Sequence, residues 1–178
     1  MDLSLLIALF PIVFMLHDFE EIIMMQSWLK RNKDFLIIKF PKLGKRIIKN
    51  YENQSTASFS LAVAEEFFLI SVSVVLAIQF KWYYLWIALF MAFFVHLLIH
   101  IAQWIVIRKY IPVIFTSFLA VIYCVYAYSQ FMISNLVSSF EIVWLSGIGL
   151  VIMILNLLLI HKMAAKFEIW LKNFSNNN

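Results

Sequence analysis

Histidines and carboxylates stand in three apolar stretches of this sequence: His17, Asp18, Glu20 and Glu21 near the start, Glu65 and Glu66 further on, and His96 and His100 after them. A charged group in a hydrocarbon layer costs roughly 2.5–3.5 kcal/mol even on the lenient insertion scale, so each marks a functional site by default. Helix positions three and four apart share a face. His17, Glu20 and Glu21 therefore point one way, and so do His96 and His100, while Asp18 lies off its neighbours' face by about 100°. Neutral imidazoles and carboxylates are ligands that Zn²⁺, Fe and Mn accept, and helical bundles build one- and two-metal sites from such sets on facing helices. A divalent ion would also offset the mutual repulsion of several buried acids. The expected ligands are His17, Glu20, Glu21, Glu65, His96 and His100, around zinc or iron, one ion or two. A leftover carboxylate, Glu66 or Glu21, is then the expected general base or proton carrier. The His-x-x-Glu-Glu spacing lacks the second histidine of the zincin and inverzincin motifs, so it names no known metalloprotease class.

The elements that must position these groups follow from composition. Hydrophobic residues make up 64% of 178 positions and charged residues 13%, more apolar surface than a soluble domain can bury. The expectation is an all-α, polytopic membrane bundle in the cell membrane, with a bilayer solvating its outside. Five stretches are long enough to span: about 3–29, 58–80, 83–107, 113–134 and 142–161, each near the roughly twenty helical residues required. They form one membrane domain over 1–174, with a disordered tail at 175–178. Between the first two spans lies a basic stretch, Lys30 to Ala57, expected to hold an interfacial helix around Phe35 to Asn50. Short connections elsewhere predict an up-and-down bundle. The apolar N-terminus has Asp2 where a secretion signal carries lysines, and reads as a retained helix.

Orientation follows from the basic residues. Eight of fourteen lie in the first loop, Arg108 and Lys109 lie after the third span, and Lys162, Lys166 and Lys172 lie at the C-terminal end. Only Lys81 falls on the opposite side, which predicts an outside N-terminus and a cytoplasmic C-terminus. Trp82, Tyr83, Tyr84 and Trp86, beside Lys81, are expected in the outer aromatic belt. Counted at about 1.5 Å per residue from the cytoplasmic ends, the buried acids and His100 lie roughly 10–14 Å deep and His96 and His17 roughly 16–18 Å. One polar layer results, served by the first three spans, with the last two as scaffold.

Other polar positions have simpler explanations. Cys124, the single cysteine, is expected to be a packing residue. Asn156 suits an interhelical hydrogen bond. Gln103, one turn from His100, suits a partner that orients an imidazole. His161 and Glu168 suit water-facing positions. Ser146, Gly147 and Gly149 suit a close helix approach.

His17-Asp18-Phe19-Glu20-Glu21 resembles the signature of the HXXEE domain family, a group of bacterial membrane proteins. That family is described by this N-terminal motif, a further histidine and a YXPG motif nearer the C-terminus. The histidine corresponds here to His96 or His100, and Tyr110-Ile111-Pro112-Val113 stands in the YXPG position. Val113 replaces the motif's glycine, which puts in doubt the special dihedral or close approach that a glycine permits. The resemblance runs over about residues 3–117 and implies no biochemical role. Tyr110 and Pro112 also suit the start of the fourth span, with Pro112 in its first turn.

Three functional readings fit these residues. The first is a membrane-embedded metal-dependent enzyme whose partners are membrane lipids and a hydrophobic small-molecule substrate; nothing points to a nucleic acid. The second is a proton- or ion-coupled transporter that uses the same cluster as a relay, although the chain shows no inverted repeat or broken helix. The third is a glutamate/histidine intramembrane hydrolase or protease, resembling the CAAX type in Glu65-Glu66 and His96/His100. No arginine follows Glu66 at the spacing of that family.

Overall fold

The computed structural model describes residues 2–52 and 54–176. It is all-helical, with six helices among the described residues: α1 (Leu3–Lys39), α2 (Pro41–Glu52), α3 (Thr56–Phe80), α4 (Tyr83–Ile107), α5 (Ile114–Ile133) and α6 (Ser139–Asn176). All but α2 are long and apolar enough to cross a bilayer.

Both ends of the bundle are more helical than expected. No helix breaker follows Leu29 until Pro41, so α1 runs on as a basic helix to Lys39 and turns at Phe40, whose φ of −132° and ψ of 74° leave the helical region that a following proline disfavours. The interfacial segment is consequently shorter, α2 alone. Its buried face, Gly44 and Ile48, packs on Leu29 and Leu36 of α1, while Lys42, Lys45, Arg46 and Lys49 point outward. The last helix begins at Ser139 and continues through Asn176, so the tail expected from Ser175 is helical over its first two residues. Residues 177 and 178 lie outside the described residues.

The core is aromatic. Trp86 is fully buried, stacked on Phe90 (centroids 4.7 Å apart) and on Phe131 (4.9 Å), with Phe10 edge-on at 5.6 Å. It is a core residue, unlike Trp82 and Tyr84 beside Lys81, which are exposed. A backbone defect holds its indole. Pro11 lies inside α1 and has no N–H to give to the carbonyl of Ile7 one turn earlier. Trp86 Nε1 donates to that carbonyl instead, at 3.3 Å, so the buried acceptor is satisfied from α4.

α4 packs on α3, α5 and α6, and α1 on α2, α3 and α5. Gly149 lies against the backbone of Ala88, where a β-carbon would collide with the Ala88 carbonyl, so α6 meets α4 backbone to backbone. Gly147 faces open space and has no part in that approach. Glu168 is buried rather than water-facing. It accepts from Ser55 N (2.9 Å) and Ser58 Oγ (2.8 Å), tying the first turn of α3 to α6.

Candidate metal centre

Three histidines meet where α1 crosses α4. His96 and His100, one turn apart on α4, approach Nε2 to Nε2 at 2.9 Å. The His17 ring on α1 stands 5.6 Å from that of His96 and 5.4 Å from that of His100, centroid to centroid. One ligand nitrogen from each falls within 4.8 Å of the other two. His17 and His100 are buried and His96 is partly so. A second group within the same spacing, Asp18, Glu21 and His96, shares His96 with the first.

Hydrogen bonds fix which nitrogen each ring offers. Thr116 Oγ1 lies 2.7 Å from Glu20 Oε2, a carboxylate oxygen that can only accept, so the hydroxyl proton goes there. The same Oγ1 must then accept from His17 Nδ1, at 3.2 Å. His17 is thereby the Nδ1–H tautomer, and its Nε2 carries a bare lone pair. Among the described residues no group hydrogen-bonds that buried Nε2. On α4, Gln103 Oε1 accepts from His100 Nδ1 at 3.1 Å, which leaves His100 Nε2 as a lone pair too. The His100 lone pair accepts from His96 Nε2 at 2.9 Å, a proton that a bound ion would displace, and the His17 ring stands beside both. This is the arrangement of metal-ligating imidazoles, whose second nitrogen is held by an outer partner. Two nitrogens bound tetrahedrally to one ion at roughly 2.0–2.1 Å stand about 3.3–3.4 Å apart, within half an ångström of the 2.9 Å His96–His100 separation. The donor set fits a divalent ion.

The turn between α4 and α5 carries the support for His17. Val113 precedes α5 in the left-handed region (φ 75°, ψ −8°) and offers no side-chain cap. Glu20 caps the helix from α1, accepting from Thr116 N at 3.1 Å as well as from its hydroxyl. Tyr110 donates its phenol to the other oxygen, Oε1, at 2.9 Å. Trp28 Nε1 donates to the Tyr110 carbonyl at 2.6 Å, and Lys39 Nζ donates to the last carbonyls of α4, Val106 at 2.8 Å and Ile107 at 3.0 Å. The turn is strapped to α1 along its length. The dihedral that a glycine would favour is kept, although Val113 occupies it and is fully buried. Pro112 lies in the turn before α5, not in its first helical turn.

A family model described as "Protein of unknown function with HXXEE motif" matches residues 8–127. The chain belongs to that family. No curated protein and no solved structure matches it.

The HXXEE residues divide between two duties. His17 and Glu21 belong to the metal-competent groups, whereas Glu20 belongs to neither and is occupied by Thr116 and Tyr110. Glu65 accepts from Asn156 Nδ2 at 2.9 Å, a bond to α6, and is also outside both groups. Glu66 borders a cavity of about 100 Å³ together with Phe14, His96 and Asn156. Asp18, Glu21 and Glu66 lie near enough to feel one another's charge. A larger cavity of about 570 Å³ is lined by Glu21, His100 and Gln103. The last two spans are more than scaffold, since α5 supplies Thr116 and α6 supplies Asn156.

Proposed function

We propose that this HXXEE protein is a membrane-embedded metal-dependent enzyme acting on a lipid or other hydrophobic small molecule. The observation that carries the reading is the convergence of the His17, His96 and His100 nitrogens, two of them with their lone pairs fixed by outer hydrogen bonds. His17, His96 and His100 would hold the ion, with Glu21 or Asp18 from the adjoining group beside it. A bound divalent ion supplies Lewis acidity or, if it is iron, redox chemistry. The chain's residues do the rest. Thr116 and Glu20 keep the His17 ring in one tautomer and orientation, and Gln103 does so for His100. A leftover carboxylate, Glu21 on the wall of the larger cavity or Glu66 on that of the smaller, would act as general base or carry the proton away.

The basic ends of α1, α2 and α6 support a cell-membrane location with the C-terminus in the cytoplasm. Metal analysis of detergent-purified protein alongside a His17→Ala, His100→Ala variant tests the reading. The wild type should retain zinc or iron and the variant should lose it; equal content in both would sink the proposal.

One observation favours a second reading, a proton or ion relay. One cavity is lined by Glu66 and His96 and the other by Glu21 and His100, and the two imidazoles are hydrogen-bonded to each other. Proton flux into proteoliposomes that vanishes in Glu66→Gln would support a relay in place of the enzyme.

A further inference from the structure

The larger cavity is graded from polar to apolar along its length. Its polar lining residues gather at the end beside the histidines: Glu21 with Tyr51, and His100 with Gln103. Glu21 and Tyr51 also line one small cavity together with Ile22 and Gln26, which places these two groups together. From there α1 contributes Met25, Leu29 and Leu36, and Phe40 follows at the turn into α2. Fifteen helical residues from Glu21 to Leu36 rise about 22 Å. The cavity is therefore long as well as large, and its volume of about 570 Å³ lies within the roughly 300–1,000 Å³ of small-molecule sites.

Its open side is equally informative. α2 is held on α1 and makes no more than marginal contact with α4. Between them, Leu43 on α2 and Ile99 and Val106 on α4 line the cavity and are also exposed. In a bilayer these residues face acyl chains. A molecule can enter sideways from the lipid between Glu21 at one end and Lys39, whose Nζ holds the Val106 and Ile107 carbonyls, at the other. Among the described residues no lysine or arginine side chain lines the cavity, and Lys39 beside it is engaged by the Val106 and Ile107 carbonyls, so the polar end offers no cationic seat for a phosphate headgroup.

We infer that this cavity binds a single long-chain lipid, its alkyl or prenyl tail along α1 and α2 and a terminal oxygen function, such as an alcohol, at Glu21 and His100. The seat for the tail stands on the cavity itself. What happens to the oxygen function rests on the enzyme reading above.

The test uses a long-chain fatty alcohol with a mid-chain diazirine, photolysed with the full chain in detergent and mapped by mass spectrometry. Labels should fall on cavity residues such as Met25, Leu29 and Ile99. Ala102 lines the same wall, and Ala102→Phe should reduce that labelling by at least about fivefold, the low end of what overpacking a filled site costs. Ile47→Trp, from the α2 side, should do the same, so a misfolded single variant leaves the test intact. The diazirine alkane of equal length should label the same residues more weakly. Labelling that is spread over the exposed face of α6 and indifferent to both substitutions would overturn the tail site. Equal labelling by alcohol and alkane would overturn the placement of the end group. Because the tail site needs no ion, labelling should survive chelation, and the metal content of Ala102→Phe should match the wild type. Loss of the metal reading and loss of this one are thus separate results.

Discussion

His17 and Thr116, ninety-nine residues apart, share a hydrogen bond of 3.2 Å that sets which histidine nitrogen faces the site. Thr116 accepts from the imidazole only because Glu20 takes its hydroxyl proton. Thr116→Val keeps the shape and removes the acceptor. Loss of an outer partner of this kind costs about 10–100-fold in metal affinity. That drop, with thermal unfolding shifted far less, is the expected result of chelator competition on the purified variant.

Glu65 is engaged by Asn156 of α6 and stands apart from the histidines. Glu65→Gln should therefore leave metal content unchanged, whereas Glu21→Gln should lower it. Asn156→Leu should cost about 1–3 kcal/mol through an unpaired Glu65, the penalty for a buried polar group left without its partner, again with the metal retained. Elemental analysis and thermal unfolding of the three variants check this.

Val113 sits at φ 75°, a backbone conformation that penalises a β-carbon by about 1–2 kcal/mol. Glycine is free of that penalty. Val113→Gly should consequently be more stable than Val113→Ala by about 1–2 kcal/mol, the reverse of the order within an ordinary helix. Urea or thermal unfolding of both variants decides it.

Tyr110 lies in the loop outside the spans and is 38% exposed; partial desolvation together with its bond to Glu20 raises its phenol from 10.0 to about 12. A folded-state pKa above the unfolded value favours the protonated, folded form. The stabilisation is fully present below about pH 10 and fades as the pH rises through about 12. The ultraviolet difference titration of wild type minus Tyr110→Phe should show a phenol ionising near pH 12 rather than near 10. The alkaline limb of the stability profile should flatten in the variant.

The charged part of the site was legible because charge in an apolar stretch is costly and conspicuous. His17, His96 and His100 stood out on that ground and do converge. The same signal could not rank the four glutamates. Glu20 and Glu65 differ from Glu21 and Glu66 through what faces them from α5 and α6, and helix-to-helix azimuth is not written in residue type. Thr116 carries no charge, so nothing flagged it, although it is a polar residue in the first turn after the Tyr110–Val113 motif. Gln103 and Asn156 were legible as hydrogen-bonding partners from spacing and rarity. In the fold, hydropathy located the five spans but ended α1 and α6 too early, because their final turns are basic and amphipathic while remaining good helix. Trp86 was misplaced because belt composition and an aromatic core look alike until Pro11 is seen to free the Ile7 carbonyl that holds it. Glu168 looked water-facing because the two serines it binds lie 110 and 113 residues away.

X-ray absorption at the metal edge of the zinc-loaded, detergent-purified protein tests the three-histidine centre most directly. The expected spectrum has imidazole nitrogens at roughly 2.0–2.1 Å, with the multiple scattering of imidazole rings, and it loses ring scattering in His17→Gln and in His96→Gln. A shell of oxygen donors alone, the same in wild type and both variants, would contradict it.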